Sequence, residues 1–374
     1  MAGIAQAVRA DAAFGTDLYT ELAAAGGNVV FSPASVAASL RMALAGARGD
    51  TATELAAALH LPGPETAADG LRDLAGIRPG KDLTFRAPNT MWIETAVTVR
   101  KEFLAQLGAV ASVRRCDFVR EPEAARQAIN GAVAEQTGGK IADLLPPEAI
   151  GRDTRLVLVN AVYLNALWAY QFPAHQTQKK PFYAERSVAS PTDMMRLEAR
   201  LAYQRGDGYQ AVLLPYRGGS LAMAVVLPDG PLGELSGRLD DLGGVGGLLA
   251  GLLSAGAERQ VDLSLPRFRI NSGFMLRDTL AALGVRVAFS DSADFGGITP
   301  ERLAISEVVH RAYIDVGEKG TEAAAATGTV MRALAAVRRP GPEITFVADR
   351  PFLFVIADTD SGLPLFVGQL TRVA

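Results

Sequence analysis

The hydrophobic pattern changes character along the chain. Met1 to Ala25 is Ala-rich and amphipathic and predicts a helix closed by Gly26-Gly27. Ser32-Pro33 predicts a second helix, with Ser32 as its cap and Pro33 in its first turn. Thr51-Ala-Thr-Glu54 has the form of a capping box and predicts the start of a third. From Leu83 onward short runs rich in Val, Leu and aromatics take over. They predict strands at Leu83–Glu94, Arg155–Leu164, Gln210–Pro215, Leu221–Leu227 and Val261–Ile270, with helices at Lys101–Ala109, Glu123–Glu135 and Ser272–Leu283. Further strands are predicted at Ile305–Val316, Glu343–Val347, Pro351–Ala357 and Leu365–Leu370. No fixed-period repeat or low-complexity linker divides the chain. Helices first and then many strands, without regular alternation, predict an α+β fold in one continuous domain over residues 1–374.

One stretch does not fit this order. Between Gly317 and Pro342 the pattern lapses into a long run of small residues, and connections beyond about 12–15 residues are usually functional or disordered. An Ala-rich helix or a disordered loop is one reading. Read at period two, however, Thr321, Ala323, Ala325, Thr327, Thr329 and Met331 share a face, and Glu322, Ala324, Ala326, Gly328, Val330 and Arg332 share the other. All charge lies on the second face. As a strand, this segment would join a crowded sheet without burying a charge, which makes a latent strand the competing reading.

Composition narrows the function classes. With 49% hydrophobic and 21% charged residues, the chain reads as a soluble globular protein with ample core. A net charge of −3 leaves no footprint for nucleic acid or an anionic membrane. The single cysteine, Cys116, excludes an internal disulfide framework and fits a reducing compartment. Met1 to Leu18 lacks the apolar core of a signal peptide, and Leu242 to Ala257 is too short and Gly-rich to span a bilayer. The expected location is the cytoplasm, with an extracellular one left open. Arg greatly outnumbers Lys among abundant Ala and Gly, a bias that suggests a GC-rich bacterial genome.

Enzyme signals are weak. The three histidines are His60, His175 and His310, and no Gly-x-Ser-x-Gly elbow places a nucleophile near any of them. His60 ends an apparent helix, His175 sits in a polar turn, and His310 alone would read as a core histidine. One cysteine and no close His/Asp/Glu cluster give no basis for a metal site. Gly218-Gly-Ser220 and Gly243–Gly247 lack the Lys-Ser/Thr of a phosphate loop. Neither a cofactor nor a catalytic set is expected.

Five segments together carry a resemblance. Glu318-Lys-Gly-Thr-Glu-Ala-Ala-Ala-Ala-Thr327 resembles the reactive-loop hinge of inhibitory serpins. Asn28-Val-Val-Phe-Ser-Pro-Ala-Ser35 is similar to the family's early helix start. Ile129-Asn130 with Thr137-Gly-Gly-Lys-Ile141 resembles the segment before its central strand. Leu156 to Asn160 and on to Trp168 resembles that strand itself, and Phe346–Phe354 the C-terminal signature. The resemblance spans essentially the whole chain. It implies three β-sheets, eight to nine helices and an exposed reactive-centre loop over about 318–342. It also implies a monomeric inhibitor that is cleaved once by a serine protease and traps it as an acyl complex, the cleaved loop joining the largest sheet.

The same resemblance implies residue roles. Spacing of sixteen residues after Glu318 puts the reactive bond at Leu334-Ala335, suiting chymotrypsin-, elastase- or subtilisin-like proteases. The loop is longer than in well-known members, and Arg332, Arg338 or Arg339 as the specificity residue would instead invite a trypsin-like enzyme. Gly320, Thr321, Glu322, Ala323, Ala324, Ala325 and Ala326 form the hinge. Glu318 and Arg267 match a pair beside Trp168 that holds the mouth of the sheet; Ser32, Asn160 and His310 match a buried cluster where strands must part. Two departures are Ala132, where the family often has tryptophan, and Leu164-Asn-Ala166 in place of aromatic-Lys-Gly. A non-inhibitory relative acting as carrier, chaperone or storage protein is the alternative, and such members tend to have bulky, charged or Pro residues in the hinge. A hydrolase is the alternative from another class.

Overall fold

In the computed structural model, which describes residues 2–68, 82–108, 112–184, 189–255, 257–321 and 342–373, helices lead and strands follow. The first elements are α1 (Ala2–Ala23), β1 (Val29–Phe31), α2 (Pro33–Gly46) and α3 (Gly49–Ala58). Next come β2 (Leu83–Arg86), β3 (Asn89–Glu94), α4 (Lys101–Leu107), β4 (Ser112–Cys116), α5 (Pro122–Gln136) and β5 (Leu156–Leu167). A run of strands follows: β6 (Gln178–Phe182), β7 (Ser190–Gly206), β8 (Tyr209–Pro215) and β9 (Leu221–Pro228), then α6 (Leu232–Gly237) and α7 (Gly244–Ala255). The chain continues through β10 (Ala257–Pro266), β11 (Phe268–Met275), α8 (Arg277–Ala282), β12 (Glu307–Gly317) and β13 (Gly320–Thr321). It ends with β14 (Ile344–Val347), β15 (Phe352–Asp358) and β16 (Pro364–Leu370).

The strands form two hydrogen-bonded arrays. One runs β1-β16-β15-β9-β8-β7-β10-β14, with β6 also on β7; the other runs β11-β12-β13-β5-β3-β4, with β2 on β5. The three sheets expected are joined among the described residues into two arrays, and β7 is the strand that makes the larger one continuous. It pairs with β6 from Ser190 to Met194, with β10 from Met194 to Tyr203 and with β8 from Ala202 to Gly206. The pattern analysis places no element on this long strand, although Leu197, Ala199 and Leu201 alternate with Arg196, Glu198 and Arg200, and the first set is buried.

Other expectations need correction. Thr51 and Glu54 do not form a capping box: α3 is preceded by Arg48, with no side-chain cap. Thr51 Oγ1 instead accepts from the Asp294 amide, and Glu54 accepts from the amides of Arg286 and Val287. Both side chains tie the helix to a distant loop, a use that local sequence does not reveal. The helix expected over Ser272–Leu283 begins only at Arg277; before it β11 runs on in strict alternation, with Phe268, Ile270 and Ser272 buried. The strand expected over Val261–Ile270 breaks at Arg267, and the one over Leu83–Glu94 breaks before Asn89. The second helix matches expectation in detail: Ser32 Oγ accepts from the Ser35 amide and Pro33 occupies the first turn.

Period-two placement on β5 builds the layers. Leu156 and Leu158 face a core made with α2, α3 and α8, whereas Val162, Leu164 and Ala166 pack between the two sheets against Val212, Met223 and Phe354. The odd residues Val157, Val159 and Ala161 face the other way, beneath Ile129 and Val133 of α5. β5 is therefore covered on both faces, which explains its nearly continuous apolar sequence.

Candidate functional site

β5 and β12 run parallel and in register from Val157–Glu307 to Tyr163–Tyr313. Above that point they part, and β13 sits in the gap. Gly320 and Thr321 pair antiparallel with Leu167 and Ala166 of β5 on one side and with Gly317 and Val316 of β12 on the other. The central sheet is thus a fork whose upper end already holds the first two residues of one more strand. Only a small residue fits at the rim: a Cβ built on Gly320 would lie 2.0 Å from the Ala166 carbonyl oxygen. Thr321 is fully buried, and its side chain points inward to Tyr216, the oxygens lying 2.6 Å apart.

The turn that feeds this strand is anchored by backbone and aromatic contacts. Trp168 Nε1 donates to the Gly317 carbonyl at 2.9 Å, its amide to Lys319 at 2.8 Å, and the Phe172 amide to Glu318 at 2.9 Å. Trp168 stacks on Tyr216, with ring centroids 4.4 Å apart and planes inclined by 11°. Glu318 accepts from Arg267 Nε at 2.8 Å to each oxygen and from Thr177 Oγ1 at 2.7 Å. Burial alone would raise the Glu318 carboxyl, but those donors outweigh it and hold it below the ordinary range. The same bond raises the Arg267 guanidinium. Arg267 is half exposed and also lies 3.7 Å from Asp193, so its pairing is screened by solvent.

Lower down the seam lies a neutral network. Asn160 and His310 are register partners across β5 and β12. His310 Nε2 accepts the Ser32 amide at 3.0 Å, which leaves the proton on Nδ1 to be donated to Asn160 Oδ1. Asn160 Nδ2 donates to the Ser35 carbonyl at 3.0 Å and also meets Ser35 Oγ and Asn89 Oδ1. Ser39 Oγ donates to the same Asn89 oxygen at 3.0 Å. His310 is completely buried, and that burial pushes its pKa down to about 3, so the ring is neutral. The network joins α2, β3, β5 and β12, and the His310–Asn160 bond crosses the line along which β5 and β12 would have to separate.

The structure therefore brings together Glu318, Arg267 and Trp168 at the mouth and Ser32, Asn160 and His310 below it. Gly320 and Thr321 lie in the fork. Glu322, Ala323, Ala324, Ala325 and Ala326, the bond Leu334-Ala335 and the alternatives Arg332, Arg338 and Arg339 lie outside the described residues. Residues not singled out in the sequence are Tyr216, Thr177, Ser35, Ser39 and Asn89. Tyr216 follows the apolar strand β8 and looks from sequence like any core tyrosine. Of the departures, Ala132 packs half-buried against the core under α5, and Ala166 pairs with Thr321, where its small side chain leaves the hinge room.

The site is therefore a central sheet whose two middle strands part at one end around the short strand β13. The model of the serpin family, described as serine protease inhibitors, matches residues 9–373. The chain is 37% identical over 371 residues to an uncharacterized serpin-like protein of Thermococcus kodakarensis, covering 97% of this chain and 85% of that one. It is 36% identical over 374 residues to the leukocyte elastase inhibitor of Bos taurus, covering 97% and 98% of the two chains. The crystal structure of Serpin48, a highly specific serpin of the insect Tenebrio molitor, superposes with a TM-score of 0.82 at 30% identity, covering 99% and 98%. The chain belongs to the serpin family.

Proposed function

We propose that this serpin is a single-use inhibitor that traps a serine protease as a covalent acyl complex, with the cleaved loop completing the central sheet as a new strand. The observation that carries this reading is the fork. Gly320 and Thr321 already pair with both β5 and β12, and Thr321 faces inward on the uncharged parity face. Continuing that register downward would bring Ala323 between Leu164 and Ile314, two residues of the inner core, and turn Glu322 outward beside Asp315. The four alanines that follow Glu322 would meet little steric resistance. At about 0.5–1.5 kcal/mol net per hydrogen bond, a strand of about a dozen residues contributes on the order of 10 kcal/mol before side-chain burial. That driving force acts against deacylation of the trapped enzyme, so insertion must be fast as well as favourable.

In this reading the protein has no catalytic turnover and works as a monomer, and its partner is a protease accepting Leu334 ahead of Ala335. The name of the bovine relative, leukocyte elastase inhibitor, points the same way. The test is incubation with chymotrypsin, neutrophil elastase, subtilisin and trypsin, read by denaturing gels and mass spectrometry of the released C-terminal peptide. The expected result is an SDS-resistant complex and a fragment beginning at Ala335. A fragment beginning after Arg332, Arg338 or Arg339 would keep the mechanism and move the specificity. Clean cleavage without complex by every protease would overturn the inhibitory reading in favour of a carrier, chaperone or storage role.

A further inference from the structure

Tyr216 carries a buried hydroxyl that the inhibitory scheme above does not use. Its ring is held rigidly: it stacks on Trp168, its amide donates to Leu221, and its backbone bridges Trp168. The side chain is buried, and that burial pushes the phenol far above its ordinary pKa, so it is a neutral hydroxyl at any working pH. A buried hydroxyl needs a partner. Here the partner is Thr321 Oγ1 at 2.6 Å, itself completely buried. Arg267 and Thr177 bond the Glu318 side chain ahead of the fork, and the remaining contacts that hold the turn, from the Trp168 indole and the amides of Trp168 and Phe172, end on backbone carbonyls of residues 317 to 319. Those backbone bonds would accept almost any sequence. The Tyr216–Thr321 bond is the contact in the fork that reads the identity of a hinge side chain.

We infer that the Tyr216 hydroxyl is a positioning group that latches the hinge, holding Thr321 docked between β5 and β12 so that loop insertion extends an existing ladder. The inference rests on the inhibitory reading for its consequence, and its geometry stands apart from that reading. Founding a new strand between two others fixes several residues before their pairing is complete; adding residues to a formed end fixes one at a time, as helix propagation is easier than nucleation. With Thr321 latched, the costly first step is finished before any protease arrives. Without the latch, the hinge samples positions outside the fork, and an acylated protease has longer to hydrolyse its ester and leave. Tyr216 thereby sets the partition between trapping and simple cleavage without touching the protease or the scissile bond.

A thermodynamic cycle on the two hydroxyls separates this role from ordinary packing. Tyr216→Phe keeps the ring and its stack on Trp168; Thr321→Val keeps the shape of the hinge residue. Each single variant strands a buried hydroxyl, whereas the double variant replaces both partners by apolar groups, which is close to neutral. Hydrogen exchange of the peptide spanning residues 317 to 321 reads docking in the intact protein, with no protease present. Each single variant is expected to exchange there roughly tenfold faster than the parent chain, with the double variant returning most of the way. The number of inhibitor molecules consumed per protease trapped should follow the same order, while the rate of loop cleavage stays unchanged. Unaltered exchange in Tyr216→Phe overturns the latch. So does a double variant no better than the worse single, because Tyr216 would then act through packing alone. Faster exchange with unchanged stoichiometry overturns its role in trapping. A parent chain that traps no protease sinks the inhibitory reading, and the exchange data then judge the latch by themselves.

Discussion

The top and the middle of the β5–β12 seam are built in opposite ways. At the top the strands stand apart, and what fills the gap is replaceable: two hinge residues, one hydroxyl pair, and an ion pair whose arginine is half exposed. In the middle the strands are paired, and the contact across them is a fully buried, neutral network through His310, Asn160, Ser32 and Ser35. The difference follows from what each place must do. In the proposed mechanism the top receives a strand and so needs space, small residues and partners that a newcomer can satisfy. In the same mechanism the middle would stay shut until a strand arrives, and the hydrogen bonds that close it are costly to open singly. A sheet sealed this way throughout would admit nothing; one forked throughout would not hold together before cleavage.

The largest disturbance should come from a charge in the fork. Thr321→Arg would put a guanidinium where Thr321 is buried beside Tyr216. An unpaired buried charge costs about 3–5 kcal/mol or more. The variant is expected to be cleaved as a substrate, with the SDS-resistant complex falling at least tenfold by about that energy; undiminished complex would refute insertion through this fork.

At the middle, His310→Ala leaves the Ser32 amide and Asn160 Oδ1 without their partner and opens a cavity. A loss of about 2–4 kcal/mol is expected. It should appear as a lower unfolding temperature and faster heat-induced polymerisation, while reactive-bond cleavage proceeds at the parental rate. An unchanged rate of polymerisation would remove His310 from the closing of the seam.

The network should also show in the pH dependence. The native His310 pKa is held down to about 3 against an ordinary 6.5. Below about pH 6.5 the unfolded chain takes up a proton that the native ring refuses, so stability is full above that pH and falls progressively towards about pH 3. Glu318, whose native pKa lies below its ordinary 4.5, contributes at higher pH, and its share is lost only further into acid. Thermal unfolding between about pH 8 and pH 5 should therefore decline in the parent chain and lose that slope in His310→Ala. Equal slopes would place the titration elsewhere.

The smallest effect is expected at the rim. Arg267→Ala removes a partly exposed pair worth about 1 kcal/mol or less. Its effect on unfolding should shrink further at high salt, and a large, salt-independent loss would mean that the pair does more than brace the turn.

Much of this was legible in the sequence, by two different routes. Period-two alternation put Thr321 on an uncharged face, where the structure finds it buried, and Ser32-Pro33 announced its helix, because both are local signals. Glu318, Arg267, Trp168, Ser32, Asn160 and His310 emerged only through resemblance, since they lie far apart in the chain and meet through tertiary contacts. What stayed hidden failed for a physical reason in each case. Thr51 and Glu54 satisfy amides of a remote loop instead of their own helix. Ser272 to Met275 carries a pattern that suits helix or strand until β12 is there to pair with it. Tyr216 ends an apolar strand, and its role depends on a hydroxyl meeting a residue 105 positions away.

In the proposed mechanism the loop stores a strand's worth of stability until it is cut. The most direct measurement is thermal unfolding of the protein before and after a single cleavage between residues 322 and 341, with both fragments retained. Insertion should raise the unfolding temperature by roughly 10 °C or more, the shift given by on the order of 10 kcal/mol over a chain of this length. A cleaved protein that melts at or below the temperature of the intact chain would contradict the account.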